Sequence, residues 1–377
     1  MDYRFSQRMK AWIKPYLGQR RLGLLGILGG MALLIACYPN TEVSYSNPQD
    51  PGAAQWLIEF KTGEEKVHME LRYQRKRERD GGYGYSNNGF MIAPEKLSGL
   101  TREQAMSSGT TVKFQLQRDA GTFYFEGWFK EGNGSGHFTF SPNPSFGAEL
   151  NRMGLGSPTT EQQLSLALHD VGFALINELK VQGYEQPTLD QLVKMGQHGV
   201  QLEYVQGLKS LGYSVKYIDF LIKMRDHGVT VNFIRELAAL NYTGLTAEEL
   251  IRTRDHGVTG KYINEFKAAG YNQQTLDDWI TLRDHGVDMK FVRELDTLGY
   301  SRLAVDELRR MRDHGVNSSF IRELKEAGYD KISVEQLIRL RDHGVNAKFI
   351  QRMKERGHTN LSLDEYVRLR DRGEDYE

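Results

Sequence analysis

Arg225-Asp226-His227-Gly228-Val229 recurs residue for residue at Arg254-Asp255-His256-Gly257-Val258, Arg283-Asp284-His285-Gly286-Val287, Arg312-Asp313-His314-Gly315-Val316 and Arg341-Asp342-His343-Gly344-Val345. The step is 29 residues each time. Counting backwards, His198 keeps the frame and His169 opens a degenerate copy, His169-Asp170-Val171. Counting forwards, the frame lands on Arg372. A fixed period of this length is the signature of a solenoid.

A second register runs in step. Phe146, Leu175, Tyr204, Phe233, Tyr262, Phe291, Phe320 and Phe349 keep the same spacing, which starts the array at Phe146 and gives eight units. Each unit reads as two short helices. Thr188, Thr246, Thr275, Ser333 and Ser362 each precede an acid or glutamine by three residues, the pattern of a capping box that opens the leading helix. The His-Gly pair closes it, with glycine in the left-handed position and valine as its apolar partner. Thr230, Thr259, Asp288, Asn317 and Asn346 then serve as N-caps of the trailing helix, which ends at a Gly-Tyr pair. Neither helix is long enough to be stable alone, so stacked neighbours must supply the core.

The histidine column does not read as a metal site. Equivalent residues of stacked helices lie about 9–10 Å apart, whereas a zinc–nitrogen bond is about 2.0–2.1 Å. The histidines are expected at the last carbonyls of the leading helix, where a cation is favoured. Asp226, Asp255, Asp284, Asp313 and Asp342 sit at the same helix end, where an acid is unfavourable. Each therefore needs a partner: Arg225, Arg235 or their equivalents, or a backbone N–H of the next unit. The expected role is an inter-repeat ladder that fixes the stacking, the alternative being a charged strip for an extended partner.

Ahead of the array, residues 54–141 alternate with period two. Trp56, Ile58 and Phe60, then Val67, Met69, Leu71 and Tyr73, then Val112, Phe114 and Leu116 mark half-buried antiparallel strands. Phe123, Phe125 and Trp128 form a run broken at Gly127, and Phe138 and Phe140 end the series. Glu131 to Gly136 reads as a hairpin loop, Asp80 to Gly89 as a tyrosine-bearing turn, and 101–107 as a short helix capped by Thr101. His68, Glu70 and His137 are the one set that could hold a metal if their strands pair. A solvated strand face is the plainer reading.

The first 37 residues read as a signal peptide or membrane anchor. Arg4, Arg8, Lys10, Lys14, Arg20 and Arg21 precede an apolar run from Leu22 to Ala36, shorter than the roughly 20 residues of a spanning helix. The run ends in Leu34-Ile35-Ala36-Cys37, which resembles a bacterial lipobox and implies lipidation of Cys37, the only cysteine of the chain. Either reading puts everything after residue 38 outside the cytoplasm. Residues 38–53, rich in Pro, Asn, Ser and Gly, read as a flexible linker.

Composition agrees with a globular protein: of 377 residues, 39% are hydrophobic and 26% charged. Equal counts of 49 basic and 49 acidic residues remove the electrostatic case for nucleic-acid binding. The segment Gly121-Thr-Phe-Tyr-Phe-Glu-Gly-Trp-Phe, then Gly134-Ser-Gly-His-Phe-Thr-Phe-Ser-Pro-Asn-Pro, followed by His-Gly-Val repeats, resembles the extracytoplasmic region of some BlaR-like bacterial sensor metallopeptidases. The resemblance covers about residue 50 onwards and implies a sensor role. No His-Glu-x-x-His is present, so the protease activity has no residues here to rest on.

The sequence thus predicts an α+β chain: anchor or signal at 1–37, linker at 38–53, β-domain at 54–141, and an αα-hairpin solenoid at 142–377. The expected function is non-enzymatic binding or scaffolding in the bacterial envelope, with a protein or peptide partner, a membrane attachment and no cofactor. A ligand-sensing ectodomain or a self-associating structural protein is the alternative.

Overall fold

A computed structural model describes residues 54–374 apart from 62, 77–82 and 214. The expected anchor, Cys37 and the linker lie outside the described residues. Among the described residues, no helix is long and apolar enough to cross a membrane.

Seven strands form one antiparallel sheet: β1 (Ala54–Glu59), β2 (Val67–Lys76), β3 (Tyr83–Ile92), β4 (Leu97–Ser98), β5 (Ser108–Arg118), β6 (Gly121–Lys130) and β7 (Asn133–Pro142). Their spatial order is β3-β2-β1-β7-β6-β5-β4. The alternation buries one face, with Trp56, Ile58, Met69, Leu71, Phe114, Phe123 and Phe138 inside. The sheet curls strongly. Trp56 on β1 meets Phe114 on β5, three strands away, with ring centroids 5.1 Å apart; flat strands spaced about 4.8 Å would keep them far apart.

Three expectations in this domain need correction. The hairpin between β6 and β7 is the two-residue turn Glu131-Gly132, both at positive φ (50° and 85°), rather than a loop reaching Gly136. Gly134 and Gly136 belong to β7 and are there for space: a β-carbon on Gly134 would overlap the Phe129 ring, and one on Gly136 would lie 2.7 Å from the Trp56 indole nitrogen. The alternation of β6 runs through Gly127 without a break, so Phe129 is the buried residue and Trp128 is exposed. Residues 83–89, expected in a turn, are strand and pair with β2. The short helix α1 (Arg102–Met106) is present with a full capping box between Thr101 and Gln104.

The array contains sixteen helices among the described residues, from Pro144–Arg152 to Leu363–Asp371, each nine residues long. Leading helices pack on leading helices and trailing on trailing, the two layers of an α-solenoid. The caps are those the sequence indicates: Thr188, Thr246, Thr275, Ser333 and Ser362 close capping boxes. Thr230, Thr259, Asp288, Asn317 and Asn346 each accept from a backbone N–H three residues on. The valine of every motif, Val200 to Val345, is buried.

The β-domain closes the N-terminal end of the stack. Helix Thr160–Leu168 packs on β6 and β7. Helix Phe173–Val181 begins at Gly172, which has no side chain to cap it. Asp119, in the β5–β6 turn, supplies the missing acceptor: its carboxylate takes the Phe173 N–H at 2.8 Å. Asp170 occupies the left-handed position held by glycine elsewhere (φ 56°) and pairs with Arg118. The degenerate copy at 169–171 is therefore fitted to the sheet, the neighbour it has in place of a repeat.

Candidate functional site

Among the described residues, the Arg-Asp-His-Gly motif forms a polar constellation repeated from unit to unit. Helix Ile218–Asp226 ends at His227, and Gly228 follows at φ 68°. Gly228 N–H donates to the Arg225 carbonyl at 3.0 Å and Val229 N–H to the Met224 carbonyl at 2.8 Å, a Schellman closure. The last carbonyls are thus served by backbone donors. The His227 ring does not cap its own helix, contrary to the sequence expectation.

The ring instead reaches the next unit. Nδ1 of His227 lies 2.8 Å from Oδ1 of Asp255. The same rung joins His256 to Asp284 at 2.6 Å, His285 to Asp313 at 2.5 Å, His314 to Asp342 at 2.6 Å and His343 to Asp371 at 2.6 Å. His198 pairs with Asp226 in the same way. The expected inter-repeat ladder is present, but its partner is histidine and not arginine. Arg235 bonds Asn232 on its own helix.

The arginine makes a separate link. Arg225 donates from Nε to the Gly199 carbonyl at 3.1 Å and lies 5.1 Å over the Tyr204 ring. Arg254, Arg283, Arg312 and Arg341 cover Phe233, Tyr262, Phe291 and Phe320 at 5.0–5.4 Å. Each also lies along the glycine of the preceding motif: Arg254 Nε is 3.4 Å from where a β-carbon on Gly228 would stand. Gly257, Gly286 and Gly315 face Arg283, Arg312 and Arg341 likewise, and Gly344 faces Arg370. Those glycines are needed for backbone sign, with φ of 66–68°, while the arginines stand at ordinary van der Waals distance from them. The arginine, aspartate and histidine of the motif each join one unit to the next, while glycine and valine close the helix that carries them.

The rungs are partly solvated, with histidine side chains 37–39% exposed. A pair in that setting contributes about 0.2–1 kcal/mol. In a double-mutant cycle, His256→Ala and Asp284→Ala are expected to show a coupling of about 0.5 kcal/mol. A coupling of zero in urea titrations would remove the ladder from the stability of the stack.

Two lysines make a second cationic link between trailing helices, each onto the tyrosine of a Gly-Tyr or Asn-Tyr pair. Lys267 donates to the Leu240 carbonyl at 2.7 Å and stands 5.0 Å over the Tyr242 ring. Lys354 does the same to Ala327 and Tyr329. The tyrosines of the array are perturbed. Burial pushes the phenols of Tyr204 and Tyr262 above the usual range and Tyr329 up to about 12. It also raises Tyr184, Tyr213, Tyr242, Tyr271 and Tyr300. A raised phenol pKa means the folded state keeps protons that the unfolded state has lost. The stabilisation is complete below the unfolded value of about 10 and falls as pH rises beyond it. The tyrosinate absorbance of these buried phenols is expected to appear together with loss of helical circular dichroism above about pH 10. Titration of every tyrosine with the helices intact would contradict this.

The candidate metal set is not assembled. β1 runs between the strands that carry it, with His68 opposite Glu59 and His137 opposite Gln55, four positions along. Only His68 and Glu70 remain neighbours. Among the described residues, no group of three or more His, Cys, Asp or Glu is placed to hold a metal ion. The outer face of the sheet instead presents Tyr124 and Trp128, 45% and 48% exposed, on either side of Glu126. The sequence pattern groups Trp128 with Phe123 and Phe125 across a break at Gly127 and leaves Tyr124 unnamed; the unbroken strand puts both on the outer face.

No family model matches the chain, and neither a curated protein nor a solved structure does.

Proposed function

We propose that the chain is a non-enzymatic scaffold of the bacterial envelope that presents its solenoid to a protein or peptide. The observation that carries this reading is the use of the Arg-Asp-His-Gly motif. Its polar groups are spent on joining units, and the variable helix faces are left to meet a partner, as repeat arrays commonly do. A shallow groove of mixed charge between helices Ser318–Glu326 and Ala347–Glu355, lined by Glu323, Glu326, Lys348 and Arg352, offers both signs to an extended peptide. Attachment through a lipid on Cys37, or through the apolar run before it, would fix the array to a membrane.

A second reading is a ligand-sensing ectodomain. Tyr124 and Trp128 favour it, since exposed aromatics on a rigid sheet make good contact surfaces. The resemblance to sensor ectodomains fits it too.

Photo-crosslinking in intact cells separates the two. A crosslinker at Lys348 is expected to trap a protein partner, whereas adducts at Trp128 alone would favour the sensor. Adducts at neither position would overturn both. Intact mass of protein taken from membranes tests the anchor: residues 37–377 plus a diacyl or triacyl group is the expected species.

A further inference from the structure

The two rims of the sheet are built differently. At one rim, β4 is two residues long, β5 carries a register shift between Ser108 and Thr111, and exposed Lys113 lies on β5. Short edge strands, bulges and lysines are the devices that keep a sheet edge from pairing with another chain. At the other rim, β3 runs ten residues in unbroken register with β2, from Val67 opposite Ile92 to Lys76 opposite Tyr83. β3 contains no charge, no proline and no bulge. Among the described residues, no strand and no backbone hydrogen bond lies along its outer side. Such an edge is a template for one more strand.

The residues of β3 indicate which strand fits. Tyr85 and Met91, each 53% exposed, share the outer face of the sheet. A two-fold axis perpendicular to the sheet keeps faces matched, so residues pair only with residues of the same parity in the second copy. An axis through Asn88 sets Tyr85 against Met91 of the second copy, twice over, and Asn87 against Gly89. No like charges meet, and both exposed apolar side chains are covered. Tyr85 is held ready: Gln74 Nε2 donates to its hydroxyl at 3.2 Å, and Arg72 stands 4.4 Å over its ring. Little side-chain freedom is then lost on docking.

We propose that β3 is a homotypic docking edge, at which two copies pair antiparallel about Asn88 and join their sheets into one. The blunted β4–β5 rim stops further addition, so the assembly closes at two. A single strand pair lies at the small end of interface sizes, so the dimer is expected to be weak and in the micromolar range. This inference does not depend on the solenoid's partner.

The test uses the full chain in mild detergent. Sedimentation from about 1 to 200 μM is expected to show a monomer–dimer equilibrium, consistent with a small interface. Met91→Lys alters an exposed side chain and puts a charge on the open edge. It is expected to raise the dissociation constant at least about tenfold while leaving the circular dichroism unchanged. Should that variant lose its fold, Asn87→Lys on the same rim replaces it. Oxidised Asn88→Cys should give a disulfide that peptide mapping places between two copies of position 88, distinct from Cys37. A chain that stays monomeric to the top of the range overturns the proposal. So does a dimer indifferent to the lysine variants, or one without the 88–88 link. Exchange protection, in the dilute monomer, of the β3 amides that point away from β2 would assign the edge to the chain's own N-terminal segment and overturn it equally.

Discussion

Trp279→Ala is expected to cost about 3–5 kcal/mol and to split the unfolding of the array. Trp279 is fully buried. Its ring meets Phe266 edge-on at 5.5 Å and Tyr262 at 6.4 Å. Its indole N–H donates to the Tyr242 hydroxyl at 2.6 Å, and that hydroxyl donates to the Gln274 carbonyl at 2.7 Å. One side chain therefore ties a leading helix to the preceding trailing helix and to the loop between units. Removing it opens a cavity and takes one partner from Tyr242. In a stack coupled only through neighbours, a loss at one interface is not shared evenly. Thermal unfolding followed by circular dichroism should acquire a lower-temperature step. A single transition at the original midpoint would show that the interface at Trp279 is not limiting.

Trp56→Ala is expected to cost a similar 3–5 kcal/mol, within the β-domain. Trp56 is fully buried, packs on Phe114, Phe125 and Phe129, and donates to the Glu126 carbonyl at 3.3 Å. Its indole also fills the space left by Gly127 and Gly136. It is the wedge around which the sheet curls. Its loss should travel beyond the sheet, because Arg118 and Asp119 hold the start of the solenoid from the β5–β6 turn. Hydrogen exchange is expected to report weakened protection of helix Phe173–Val181. Unchanged protection of that helix beside a loosened sheet would mean that the first repeat stands without its cap.

The array was legible in the sequence almost to the residue, because capping chemistry is local. Thr246, Gly257 and Thr259 declare their backbone roles within four residues of themselves. The partner of Asp255 was not legible. A 29-residue period aligns each residue with its own equivalent, whereas the rung joins His227 to a residue 28 positions on. That offset comes from the way stacked helix ends overlap, which no periodicity contains. The sheet shows the same boundary. Alternation identified Trp56 and Phe114 as inward, but Gly127, Gly134 and Gly136 were read as breakers. Their reason lies in rings carried by β1 and β6, known only once the strands are paired.

The uniform offset of the rungs has a consequence for inheritance. Excise residues 256–284, one whole period, and Asp255 is followed directly by His285 and Gly286. The rung from His227 to Asp255 survives on the near side, and that from His285 to Asp313 survives on the far side. Every arginine still finds an aromatic ring and a glycine in the unit before it. Only whole periods heal this way, since any other length leaves a histidine facing the wrong side chain. Length in this protein is thus a quantity that can change one whole unit at a time, with the five-residue motif as the shared seam. The sheet at one end and the last helix at the other stay as they are.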